Sequence, residues 1–192
     1  VILTTVTSTQ GQIQAPSPAG SQASAADSPL SNGQVQALVE RTLSSLVRFP
    51  GGTFDMGDWG NEQGVPYDSD RDSKPVHEVS LSAFSIMAYK VSYADFDVFT
   101  DTVGEQRIDQ DQVSRKYRTP NRPAGVSWYG ARAYCQWLGR MAGIKLDLPT
   151  EAQWEYAARS GGKKLIFATD NGKIDWDRNF PDDWHLKELA TP

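Results

Sequence analysis

Few residues in this chain could do chemistry, and most of the reactions they suggest fail on spacing. Cys135 is the one cysteine among 192 residues. A lone thiol closes no internal disulfide and builds no paired-thiol metal or redox site. The two histidines, His77 and His185, stand far apart, so a zinc site of the Cys/His kind lacks ligands. Asp68-Ser69-Asp70-Arg71-Asp72 opens like a calcium loop. The helix–loop–helix version needs Gly at its sixth position and Glu at its twelfth. Counted from Asp68, those places hold Ser73 and Val79. What remains is a looser calcium site on Asp68, Asp70 and Asp72.

Three other constellations read better as structure. Asp170-Asn171-Gly172, with Asp175 and Asp177, is oxygen-rich, but its spacing is that of a tight turn before a strand. Asp182-Asp183 beside His185 would make a carboxylate–imidazole pair, yet neighbours of this kind are usually solvated. Ser127 lacks the G-x-S-x-G frame of a nucleophile elbow and sits where a helix cap is needed.

The elements around these residues follow from periodicity. SNGQVQALVERTLSSLVR, residues 31–48, places Val35, Leu38, Val39, Leu43, Leu46 and Val47 at helical spacing. Pro50-Gly51-Gly52 is a turn. Residues 53–57 and 77–83 alternate as strands do, and FSIMAYKV, residues 84–91, is a further short strand. Three capped helices follow. Ser92 precedes YADFDVFTDTV, with Asp95 at the capping-box position and Gly104 at the stop. Ser127 precedes WYGARAYCQWLGRMAG, where Ala131, Tyr134, Cys135 and Leu138 form a stripe flanked by Trp128 and Trp137. Thr150 precedes EAQWEYAARSG, with Gln153 at the box position, Trp154, Ala157 and Ala158 as the buried face, and Gly161 at the stop. The tryptophans read as core anchors, not as a ligand site.

Residues 1–32 differ in composition. They are rich in Ser, Thr, Gln, Ala, Pro and Gly, carry no charge before Asp27, and read as a disordered or extended tail. The opening VILTTVTS reads as the end of a secretory apolar region or as a strand that docks elsewhere, and the expectation is an exported protein. The net charge of −5 argues against nucleic acid as a partner. No apolar run approaches the roughly 20 residues of a transmembrane helix.

Four runs, FPGGTFDMG, KPVHEVSLSAFSIMAYKVSYADF, RPAGVSWYGARAYCQWLG and LPTEAQWEYAARSG, resemble the formylglycine-generating enzyme-like (sulfatase-modifying factor) domain. They occur in the family's order and at roughly its spacing, over Phe49 to about Trp184. The resemblance implies an α+β fold: a complex, loop-rich domain with little regular secondary structure, related to C-type lectins. It places the domain at 33–192, with an N-terminal helix at about 33–48. Catalytic members of the family are copper-dependent oxidases that convert a sulfatase cysteine to formylglycine through two cysteines near the domain's C-terminal end, and they bind calcium through loop oxygens. Residues up to Pro192 do not reach the family's Gly-Asn-Val-Trp-Glu-Trp-like motif or that cysteine pair. The expectation is that the C-terminal segment is missing, and copper is expected only where that segment exists. Cys135 matches a helix-core position of the family and not a catalytic one.

The resulting expectation is a non-catalytic envelope or periplasmic protein. It would bind another protein (a toxin, an enzyme or an envelope component) through its loops, as an inhibitor or immunity protein would. The contact residues would be Asp58, Trp59, Trp176, Asp177, Asp182 and Trp184. The alternative is part of a formylglycine-generating oxidase.

Overall fold

The computed structural model describes residues 4–6, 29–61, 64–67, 73–176 and 178–180. Its elements in chain order are β1 (Thr4–Val6), α1 (Pro29–Ser44), β2 (Leu46–Phe49), β3 (Gly52–Met56), β4 (His77–Leu81), β5 (Phe84–Met87), α2 (Tyr93–Val103), α3 (Trp128–Ala142), β6 (Leu146–Asp147) and α4 (Glu151–Ala158). A short 3₁₀ turn spans Arg115–Tyr117. This is a mixed α+β architecture. One four-stranded sheet has the order β2-β5-β1-β6, and β3 and β4 form a separate two-stranded ribbon. The ribbon is antiparallel, with Phe54 opposite Val79 and Met56 opposite His77.

α1 differs from the helix read at 33–48. It begins at Pro29, whose fixed φ suits a first helical turn, and it ends at Ser44. The Ser44 and Ser45 hydroxyls donate back to the carbonyls of Arg41 and Thr42, which competes with continued helix. Leu46–Phe49 instead pairs with β5, Leu46 opposite Met87 and Phe49 opposite Phe84. Within the stretch read as a tail, Thr4–Val6 is a strand between β5 and β6.

The helix caps form where their residues predict. Ser127 accepts from the Gly130 N–H, and Gly143 closes α3 at φ 66. At α4, Thr150 and Gln153 make both bonds of a capping box. α2 is capped by Ser92, but Asp95 does not reach back to the Ser92 N–H. Its carboxylate instead accepts from the Ser92 hydroxyl at 2.9 Å and from Arg41 at 2.8 Å, which ties α2 to α1.

Two apolar clusters form the core. One lies among α1, α2 and α3, with Leu38, Phe96, Phe99, Tyr134, Trp137 and Leu138 buried in it. The other joins the strands to α4 through Phe54, Met56, Phe84, Ile86 and Tyr156. Here the expected helix faces need correction. Trp137 is buried, but Trp128 and Trp154 are 58% and 52% exposed. The anchor of α4 is Tyr156. Its ring meets Phe49, Phe54 and Phe84 edge-on, and its hydroxyl donates to the Gly51 carbonyl at 2.8 Å. α4 ends at Ala158, and the N–H groups of both Gly161 and Gly162 return to the Tyr156 carbonyl. Gly162 is required there. At φ +75, a Cβ would lie 2.6 Å from Phe54 Cβ and 2.8 Å from the Tyr156 ring.

Candidate recognition site

The loop leaving β3 is held by α4. Gly57 adopts φ 121, and a Cβ there would lie 2.7 Å from the Ser73 carbonyl, so only glycine lets the chain turn past residue 73. The Gly57 N–H donates to Glu155 Oε1 at 2.9 Å. Arg159 donates to the Gly57 carbonyl at 2.7 Å and to the Asp55 carbonyl at 3.3 Å, and it pairs with Glu155 one turn back at 3.0 Å. With its edge engaged in this way, the guanidinium lays its face on Trp59, 3.9 Å from the ring centroid. Lys164 Nζ lies 5.3 Å from the same ring.

These groups frame a cleft of ≈ 220 Å³ whose walls include Asp58, Trp59, Glu155, Arg159, Tyr67 and Phe167. Tyr67 and Phe167 meet edge-on at 6.1 Å and stay 54% and 36% exposed. The Trp59 indole N–H is buried without a hydrogen-bond partner among the described residues. A buried donor left unpaired costs about 1–3 kcal/mol.

Asp58 and Trp59 are therefore brought together, in one wall. Trp176 lies in another loop, 59% exposed, and packs edge-on against Phe180 at 5.4 Å. Asp177, Asp182 and Trp184 lie outside the described residues, as do Asp68, Asp70 and Asp72. Sequence reasoning missed Arg159, Glu155, Tyr67 and Phe167. The available signal was the i, i+4 pairing of Glu155 with Arg159.

The loop around Asp170 is a self-bonded turn. The Asn179 carboxamide donates to Asp170 Oδ1, Asn171 Oδ1 and the Lys173 carbonyl, at 3.0–3.1 Å, and accepts from the Asp175 N–H. Arg178 adds a 2.5 Å bond to Asp170. The hydrogen bonds from Asn179 and Arg178 lower the Asp170 pKa.

Cys135 is fully buried in the helical core. Burial pushes its thiol up to about 12, with the charge of Asp147 adding to the effect. Thiolate is what attacks substrates and binds soft metals. The described residues do not fit a copper ion: their thiol is neutral and enclosed, and no three of their His, Cys, Asp and Glu side chains gather as ligands.

The chain belongs to the sulfatase-modifying factor enzyme 1-like domain family, whose model matches residues 32–189. It is 32% identical to a formylglycine-generating enzyme of Streptomyces coelicolor, over 76% of this chain and 61% of that protein. It is 29% identical to an inactive C-alpha-formylglycine-generating enzyme 2 of Bos taurus, over 66% of this chain and 52% of that one. It is also 31% identical to the serine/threonine-protein kinase Pkn1 of Chlamydia trachomatis serovar L2, over 69% of this chain but only 22% of the kinase. The chain thus spans less than two thirds of each of these relatives. No helix among the described residues is long and apolar enough to cross a membrane.

Proposed function

We propose that this chain is a non-catalytic formylglycine-generating-enzyme-like domain of an exported, envelope-associated protein, which binds another protein through its loops. The observation that carries the reading is the cleft in which Arg159 holds Trp59 beside the exposed rings of Tyr67 and Phe167. Cys135, enclosed and with a raised pKa, is not itself a nucleophile or a copper ligand. The likeness to a relative named as inactive supports the reading. The surface we assign to recognition is the cleft of Trp59, Tyr67, Phe167 and Arg159, together with the exposed Trp176–Phe180 pair. Rigidly held aromatic side chains on loops are common binding anchors. An inhibitor or immunity role toward a toxin or envelope enzyme is the form of binding we infer.

The test is photo-crosslinking in the envelope fraction of the source cell, comparing the chain with its Tyr67→Ala/Trp176→Ala variant. Both side chains are exposed, so the variant should keep its fold by circular dichroism and lose the cross-linked partner. A folded variant that cross-links as before removes the surface assignment.

The competing reading is part of a copper-dependent formylglycine-generating oxidase. It is favoured by the likeness to named formylglycine-generating enzymes. Incubation of the full-length protein from the source cell with copper, oxygen and a sulfatase-type cysteine peptide decides between the two. An aldehyde product trapped by a hydrazine would reverse the proposal.

A further inference from the structure

Tyr93, Asp97 and Asp101 stand four residues apart on α2 and so line one face of the helix. All three are held by the segment that leaves the helix at Gly104 and returns to its start. Arg107 grips the Asp101 carboxylate through Nε at 3.0 Å and Nη2 at 2.6 Å. Arg118 pairs with Asp97 Oδ1, and Arg107 Nη1 lies 3.5 Å from the other oxygen of Asp97. The Tyr93 hydroxyl donates to Asp109 Oδ2 at 2.5 Å. Residues 105–122 thus run back along α2 as a strap, anchored on successive turns of the helix.

The strap also closes the start of α2. The first N–H groups of a helix have no partner within it. Here those of Tyr93 and Ala94 donate to the carbonyls of Arg122 and Pro120, at 2.9 and 3.0 Å. Arg118 Nε donates to the Ile108 carbonyl at 3.0 Å, which ties the outgoing limb of the strap to the returning one. Apolar burial adds little. Ile108 packs against the helical core, but Val113 is 67% and Tyr117 49% exposed. The Arg118 and Asp97 side chains at the centre are only 13% and 12% exposed.

We propose that residues 105–122 open and close over α2 as one unit, latched shut by charge at Asp97. Both limbs meet at that carboxylate, Arg107 from one and Arg118 from the other, so losing it releases them together. A segment with few buried apolar contacts opens at a lower free energy than the core. Opening removes one wall of a hollow of ≈ 540 Å³ between α2 and the start of α3, whose lining includes Phe96, Phe99, Ile108, Asp109 and Ser127. The strap is the lid of that hollow, and ionic strength sets how often it lifts. Every contact of the latch is one the chain makes with itself, between residues 93 and 122.

The test is hydrogen exchange of the full-length protein, resolved to single residues by mass spectrometry, in sodium chloride at about 0.1 M and about 1 M, where charges are screened beyond about 10 Å and about 3 Å. The amides of Tyr93, Ala94, Arg115 and Arg122 should share one level of protection, below that of residues 134–138 in α3. At high salt they should exchange about threefold faster while α3 is unchanged. Asp97→Asn should speed them about tenfold or more, and the half-exposed Arg107→Gln about two- to threefold. Near-ultraviolet circular dichroism checks that the core persists. Should Asp97→Asn unfold, Arg107→Gln and the salt series still decide. Tyr93 and Ala94 exchanging together with α3, the two limbs exchanging at different levels, or a strap indifferent to both salt and Arg107→Gln would each overturn the proposal. These outcomes are independent of the Tyr67 and Trp176 surface.

Discussion

Arg159 caps the face of Trp59 while its edge donates to the carbonyls of Asp55 and Gly57. One side chain thus joins the end of α4 to the loop that builds the cleft. Arg159→Ala removes these bonds and strands Glu155, whose side chain is 19% exposed. The expected loss is about 2–4 kcal/mol in urea unfolding, with a shift in tryptophan emission. Arg159→Lys keeps the charge but not the planar fork and should fall between. A loss below about 0.5 kcal/mol for the alanine variant would show that the tie is not formed.

Gly139 reverses the usual helix rule. Replacing a glycine inside a helix with alanine normally stabilises by about 1 kcal/mol. Here a Cβ would sit 2.8 Å from the Ile144 carbonyl and 2.9 Å from the Leu146 N, both backbone atoms that cannot swing aside. Gly139→Ala should therefore lower the melting temperature. A rise would show that α3 and β6 do not approach so closely.

The capping box of α4 gives a smaller, cleaner effect. Thr150→Ala removes the acceptor for the Gln153 N–H and should cost about 1 kcal/mol. Ser127→Ala at α3 should cost about as much, by the same denaturant titration.

Cys135 predicts a pH dependence. Its folded-state pKa is raised from 9.0 to about 12. The stability it contributes is therefore fully present below pH 9.0 and lost as pH rises toward about 12. The full effect is at most about 4 kcal/mol. Chemical denaturation at pH 7.5, 9.5 and 10.5 should show the gap between the chain and Cys135→Ala narrowing as pH rises. A constant gap would mean that the thiol ionises as freely in the fold as in the unfolded chain. For the same reason, iodoacetamide at pH 8 should leave the folded protein unlabelled.

The caps at Ser92, Ser127 and Thr150 were legible because a cap is a bond between near neighbours. The ribbon of β3 and β4 was legible because its alternation has a period of two. β2 was not. Val47 and Leu46 suit a helical stripe as well as a strand, and only pairing with Met87 and Ile86 decides between them. The exposure of Trp128 and Trp154 was hidden for a related reason: periodicity shows which residues share a face, not whether a neighbour covers it. In the cleft, Asp58 and Trp59 stood out as an acidic and aromatic loop. Arg159, which covers the Trp59 ring, bonds to the Gly57 carbonyl across a separation of 102 residues, which no local pattern encodes.

α4 is eight residues long, yet with the residue that follows it, it walls two separate hollows: Glu155 and the C-cap residue Arg159 face the aromatic cleft, while Trp154, Ala157 and Ala158 face an apolar recess. For anyone building on this scaffold, the helix is a keystone. Fluorescent tags or grafted loops belong in the exposed run 110–113, because an insertion between 148 and 162 would misalign both hollows at once.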